Sequence, residues 1–331
     1  MKVVVLHGQV EEGAAADEQD VLVQVGCVSQ ALTRLGYEPV PLVFSLNMDQ
    51  TAAQLQNLQP AFVFNLVEGI AGRGSLIACA PLLLDTLSLP YTGVQAEAMF
   101  LTSGKLTAKK ILRAAGIATP DFLTFDAPLP SEQAENRFIV KAVWEHASLG
   151  LDESAVFCPA EPGQVRQKIL ALQQHLGGPC FAEVFIEGRE FNVSLLGSVA
   201  GPTVLPPAEI IFVDYPRDKV RMVCYRAKWM ADSFEYGHTC RSFAFPGEDE
   251  PLLTQLAELS VRCWQLFGLR GYARVDFRVD EAGRPWVLEV NANPCISLDG
   301  GFVAAAAQAG LDYQALIDRI IRDLPPQDTL C

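Results

Sequence analysis

Apolar positions follow two rhythms along this chain. Lys2 to His7 is almost continuously apolar, as in a parallel strand covered on both faces. Val21 to Leu35 repeats its apolar residues at helical spacing and stops at Gly36, a favourable C-terminal cap. Pro39 to Phe44 and Phe62 to Val67 read as further strands, with a polar helix from Thr51 to Leu58 between them. Ala78 to Leu87 reads as a helix with Pro81 in its first turn. This βαβ alternation predicts a small parallel-sheet lobe.

The later pattern is more mixed. Ser103 to Ala115 reads as a helix closed by Gly116, with a turn at Thr119-Pro120 after it. Arg137 to Ala142 reads as a short strand. Cys180 to Ile186 and Glu190 to Leu196 read as strands parted by Glu187-Gly188-Arg189. Leu252 to Phe267 is an amphipathic helix ended by Gly268. The strands Gly271 to Val279 and Trp286 to Val290 follow, the second entered through Pro285. Helices from Phe302 to Ala309 and from Tyr313 to Leu324, separated by Gly310, complete the pattern. The fold class is α/β, with α+β character and antiparallel pieces in the second half. Neither repeats nor low-complexity tracts occur.

Composition restricts the partners. The 331 residues exceed what one core usually covers, so two or three lobes are expected. With 50% apolar and 19% charged residues, the chain is a packed globular protein. Its 39 acids against 25 bases, a net charge of −14, argue against nucleic acid or an anionic membrane as main partner. A small anionic ligand held by a few lysines remains compatible. The uncharged stretch Phe191 to Ala208 contains Asn192, two serines, Thr203 and three prolines, so it is no membrane helix. The opening MKVVVLHG is too short an apolar run for a secretory signal. Nine scattered cysteines without a C-x-x-C pair suggest reduced thiols in a cytoplasm, and four histidines remote from any cysteine pair argue against zinc.

The most informative chemistry lies in GYARVDFRVDEAGRPWVLEVNANP, residues 271 to 294. Alternation puts Arg274, Asp276 and Arg278 on one face of the first strand. It puts Val287, Glu289 and Asn291 on one face of the second, with Leu288 and Val290 on the other. A four-residue loop from Asp280 to Gly283 would pair Val279 with Arg284 and Arg274 with Glu289, leaving Asp276 diagonal to Glu289. Two carboxylates and an amide oxygen suit Mg²⁺, with water and phosphate completing the shell. The competing reading is a solvated hairpin face salt-bridged to Arg274 and Arg278. The loop Asn291-Ala292-Asn293-Pro294 favours the metal.

Isolated lysines give a second signal. Lys141 sits in the apolar run RFIVKA, and a buried lysine needs an anion. The loop Trp144 to Gly150, with Ser148, is placed to cover phosphates. Lys105 and Lys228 taken singly are ordinary surface charges; with Lys141 they make a phosphate cradle. The segment Glu183 to Phe191 reads first as a plain β-connection; its alternative reading is a strand edge that pairs with adenine, with a nearby carboxylate for ribose. Other nucleotide and nucleophile motifs are missing. His7-Gly8-Gln9 is no G-x-G-x-x-G, Gly104-Lys105 is no P-loop, and there is no G-x-S-x-G. Cys295 reads as a structural thiol.

These pieces resemble the ATP-grasp superfamily, in its D-alanine–D-alanine ligase-like branch. The resemblance rests on LPYTG (Leu89 to Gly93), GKLTAKKILRAAGIATP (Gly104 to Pro120), IVKAVWEHASLG, EVFIEGREF and GYARVDF…VLEVNANP. It implies an N-terminal lobe over residues 1–100, a central lobe over 101–186 and a C-terminal lobe over 187–331, the last two clamping ATP. It implies an ATP- and Mg²⁺- (or Mn²⁺-) dependent ligase that converts a carboxylate to an acyl phosphate, which an amine attacks to give an amide and ADP. The substrates would be small carboxylates and amines such as amino acids, and a homodimer is implied.

Carried over by position, Lys105, Lys141 and Lys228 contact phosphates, with Ser148 in the loop above them. Glu183, Val184 and Ile186 read adenine, Leu288 lies under it and Glu190 holds ribose. Asp276, Glu289 and Asn291 hold the metal, and Arg274 stabilises developing negative charge. Glu18 or Asp20 binds an ammonium. The departures lie among the amino-acid-binding positions. Trp229 replaces a tyrosine, Ala147 a serine and Gly300, beside Asp299, another serine. Asn65-Leu66-Val67-Glu68-Gly69 replaces a His-Gly…Gly-Glu-Asp stretch. The leading expectation is therefore a dipeptide-type ligase. A true D-alanine–D-alanine ligase of cell-wall synthesis with an altered pocket, and a non-catalytic nucleotide-binding protein, are the alternatives.

Overall fold

The computed structural model describes residues 1–11, 13–130, 133, 135–145, 148–161 and 163–325. Ala147 and Cys331 lie outside the described residues. Three separate sheets organise the chain. In the first, β1 (Lys2–Gly8) runs between β2 (Glu38–Phe44) and β3 (Phe62–Asn65), all parallel. Both faces of β1 are covered, which explains its unbroken apolar run. Val3 and Val5 face α1 (Ala16–Arg34) together with α10 (Gly301–Gln308) and α11 (Tyr313–Arg322). Val4 and Leu6 face α2 (Met48–Leu58) and α3 (Cys79–Thr86). One core thus joins the first 66 residues to helices at the end of the chain.

The second sheet has the antiparallel order β4 (Phe122–Leu123), β7 (Cys180–Val184), β5 (Phe138–Ala142), β6 (Val156–Phe157). Helix α6 (Gln164–Leu176), absent from the sequence reading, covers it through Val165 and Ile169. The third sheet runs β11 (Thr239–Ser242), β10 (Ala208–Phe212), β8 (Arg189–Leu196), β12 (Tyr272–Val279), β13 (Pro285–Asn291), with β9 (Thr203–Val204) beside β8. Two short helices, α7 (Tyr225–Trp229) and α8 (Phe234–His238), lie on the connection from β10 to β11. Helices α4 (Ala96–Ser103), α5 (Lys105–Ala114) and α9 (Glu250–Leu266) supply the apolar cover of this sheet. The helix read from Ser103 to Ala115 is α5, which starts two residues later, since Ser103 ends the separate helix α4. Gly104 is extended there, and a Cβ on it would meet the Trp144 ring at 2.9 Å. At Gly188, between the second and third sheets, φ is +132° and a Cβ would overlap the Val279 carbonyl oxygen, so only glycine fits.

The β12–β13 hairpin corrects the register read from sequence. Val279 pairs with Pro285 rather than Arg284, and the connection has five residues. Asp280 organises it: its Oδ1 accepts the N–H groups of Ala282 and Arg284, and its Oδ2 accepts the indole N–H of Trp286. A bulge then leaves Leu288 without a partner residue, because Phe277 opposes Val287 while Asp276 opposes Glu289. Asp276 is therefore directly across from Glu289, not diagonal to it, and Arg274 is across from Asn291. The bulge also overturns the predicted faces of β13. Val287 and Val290 are both fully buried in the core, while Leu288 and Glu289 both line the cleft.

Candidate active site

A cleft of about 540 Å³ opens where β12, β13, β8 and β5 meet α1 and α7. Its floor is the polar face of the bulged hairpin. Arg274 donates from Nε and Nη2 to the two oxygens of Asp276, at 2.7 and 2.8 Å. Asn192 of β8 donates to Asp276 Oδ1 at 2.8 Å. Lys105, the first residue of α5, sits 3.8 Å from Glu289 Oε1 and donates to the Glu145 carbonyl. Asn291 lines the same cleft. Among the described residues no group of three His, Cys, Asp or Glu is placed to cage a metal.

Lys141 on β5 and Lys228 on α7 bring further positive charge to the cleft. Burial and the neighbouring Arg274 push the Lys228 ammonium below its usual range, against the pull of Asp276, Glu289 and Glu190. Ser148, at φ +61°, also lines the cleft and donates from Oγ to the Val223 carbonyl. Tyr225 on the same short helix as Lys228 reaches Asp17 Oδ1 of α1 at 2.8 Å. A smaller pocket adjoins the cleft, lined by Val184, Ile186, Glu190 and Leu288, with Glu183 at its wall. Arg278 closes its base through a 2.8 Å ion pair with Glu190.

The far end of the cleft is acidic. Asp17 and Asp20, three residues apart on α1, share its face. Glu18 lies outside the cleft lining and is exposed. Two helical positions separate Glu18 from Asp20, a rotation of about 200°. The helix begins at Ala16, earlier than the expected Val21, and this phases the two acids. Gln24, 2% exposed, donates to both Asp20 and Glu68 at 3.0 Å. Asp20 also accepts from Ser297 Oγ at 2.7 Å and from Cys295 Sγ. Opposite stands Arg241, whose guanidinium would meet a Cβ on Gly301 at 3.4 Å, beside Gly300 and Asp299. Asn192, Gln24 and Arg241 were not read from sequence. The polar Asn192 in the apolar run REFNVSLL was the available signal for the first.

Residues 111–322 match the family model for the D-ala D-ala ligase C-terminus. The D-alanine–D-alanine ligase of Carboxydothermus hydrogenoformans is 30% identical over 322 residues, covering 93% of this chain and 95% of that protein. The chain belongs to the D-alanine–D-alanine ligase family. It is accordingly an ATP-dependent ligase of carbon–nitrogen bonds, built on the ATP-grasp fold. An uncharacterized protein of Sinorhizobium fredii is 33% identical over 262 residues, covering 78% of this chain and 73% of that one. The solved D-alanine–D-alanine ligase of Bacillus anthracis, complexed with ATP, has the same fold at a TM-score of 0.72. It is 22% identical and covers 98% of this chain and 97% of that one. Among the described residues of this family member no helix is long and apolar enough to cross a membrane.

Proposed function

We propose that this family member joins the carboxylate of one amino acid to the amine of a second, through an acyl phosphate, releasing ADP and phosphate. The observation that carries this reading is the convergence of Arg274, Asp276, Glu289 and Asn291 with Lys105, Lys141 and Lys228 on one cleft. The smaller pocket takes adenine over Leu288 and beside Val184 and Ile186, with Glu190 toward the ribose. Lys105, Lys141 and Lys228 hold the phosphates, with Ser148 in the loop beside them. Transfer of this kind depends on positioning and on cations aimed at developing negative charge. Arg274 is the cation for the tetrahedral centre.

The donor set fits a divalent cation. Two opposed carboxylates and an amide are hard oxygen donors, and a site with so few protein ligands suits Mg²⁺ or Mn²⁺ finished by water and phosphate. Asp276, Glu289 and Asn291 would hold it, and it would neutralise charge on the phosphates. The three lobes, 1–100, 101–186 and 187–331, belong to the same proposal.

Asp20, with Asp17 and Glu68, takes a substrate ammonium; Arg241 takes a substrate carboxylate beside Gly300. These positions set the amino acids. The relatives from Carboxydothermus hydrogenoformans and Bacillus anthracis are named D-alanine–D-alanine ligases, and a D-alanine–D-alanine product is the second reading here. A screen of amino-acid pairs for ADP release, with mass detection of the product, decides between them. Product from D-alanine alone selects the second reading. Phosphate release from no pair, with Mg²⁺ present, overturns both.

Glu68 adds a pH dependence. It is exposed to the cleft yet ringed by protein, and this desolvation pushes its carboxyl up to about 7. The Gln24 hydrogen bond opposes the shift, and Asp20 and Asp17 add to it. The carboxyl is charged above that value. The KM of the ammonium-bearing substrate is therefore expected to fall as pH rises from about 6 to 8, and Glu68→Gln to flatten that limb. Identical KM–pH profiles for the two proteins would remove Glu68 from the ammonium site.

A further inference from the structure

Beneath the cleft lie two buried charged groups, Lys109 and Glu183, that the mechanism above does not use. Lys109, on the inner face of α5, is 1% exposed, and so is Glu183 of β7. The Lys109 ammonium lies 2.6 Å from Glu183 Oε2 and donates to Thr119 Oγ1 at 2.8 Å. The other carboxylate oxygen, Glu183 Oε1, accepts from Lys141 Nζ. Burial alone would raise the Glu183 carboxyl; Lys109 and Lys141 outweigh it and hold the group ionised. The carboxylate, placed by sequence among the adenine-reading groups, is thus committed to two lysines.

Such an arrangement is costly if stability is its only purpose. Desolvating three charges is barely offset by their attraction, and apolar residues of similar volume often serve as well. Two lysines share one carboxylate, so the charges do not match one to one; burial and the nearby Lys141 push the Lys109 ammonium below its usual range, and Glu183 pulls it back. The surplus positive charge falls at Lys141, the member that lines both the cleft and the smaller pocket. Without Lys109, Glu183 would neutralise Lys141 outright.

We propose that Lys109 and Glu183 are positioning residues that aim the Lys141 ammonium, and its uncompensated charge, at the phosphates of the bound nucleotide. This rests on the reading of Lys141 as a phosphate contact. Lys109 lines neither the cleft nor the smaller pocket, so its effect passes through Glu183.

The test is calorimetric binding of an ATP analogue with nitrogen between its β and γ phosphates, with Mg²⁺, beside binding of adenosine. Lys109→Met is expected to weaken the analogue about 10-fold, the scale on which outer partners act on a ligand group. Adenosine affinity should stay unchanged, because the effect is on phosphate. In a Lys141→Met background, adding Lys109→Met should have no further effect. Lys109→Gln, which keeps a hydrogen bond to Thr119, should give the same pattern and serves if methionine impairs folding. Wild-type analogue affinity in both Lys109 variants overturns the proposal. So does equal weakening of analogue and adenosine, the sign of a merely structural role. Wild-type affinity in Lys141→Met alone would remove the phosphate reading of Lys141 itself, and the proposal with it.

Discussion

Asp276→Asn and Glu289→Gln should each leave a folded protein that turns over ATP at least about 10³-fold more slowly. The reason is their register. The bulge puts the two carboxylates face to face, where Arg274 and Lys105 attend them and each other's charge is felt directly. Neither side chain contributes to the backbone ladder of β12 and β13. The amide introduced by Asp276→Asn would keep an acceptor for Asn192, so little packing is lost. What disappears is the paired negative charge that a divalent cation requires. Steady-state turnover, thermal unfolding and Mn²⁺ affinity should be measured together. Lost turnover with an unchanged melting temperature and weakened Mn²⁺ binding is the expected triad. Full activity in either variant would sink the metal assignment.

Arg274→Lys should lower kcat by about 10²–10³-fold while the KM for ATP changes little. Asp276 takes Nε and Nη2 of Arg274 in a side-on pair, which leaves Nη1 for a further partner. A lysine carries the charge but cannot span the carboxylate and still present a second, fixed donor. Burial works against the charge on Arg274, yet pairing with Asp276 raises its pKa still higher. The guanidinium therefore stays charged throughout the working pH range and adds no limb to the pH–rate profile. If kcat is unchanged and only KM rises, Arg274 binds ground-state phosphate instead of the developing charge.

Much of the third sheet's chemistry was legible because strands alternate faces. Arg274 and Asp276 were placed on one polar side by that rule alone. The rule failed at Leu288, since a bulge shifts the alternation without any glycine or proline to announce it. The hairpin loop was misjudged by one residue because the Asp280 side chain, not the backbone count, sets its length. Helix α1 was read from its apolar stripe, which starts at Val21. Its polar start, with Asp17 and Glu18 in the first turn and Asp20 just after it, has no such stripe. Strands β10 and β11 and the helix α6 were not read at all. Lys109 was visible only as one of several lysines in KLTAKK; nothing local reveals that Glu183, from a strand far along the chain, packs against it.

The core that α10 and α11 share with β1, β3 and α1 has a consequence in time. Ribosomes extend a chain at roughly 5–20 residues per second. Phe64 and Leu32 are therefore made roughly 10–50 s before Phe302 and Ile317, which cover them, can emerge. Through that interval the first sheet has one face finished against α2 and α3 and the other incomplete. The first sheet, made well before its cover, is thus among the last parts to be sealed, and a newborn chain stays exposed to chaperones and proteases there until α10 and α11 emerge.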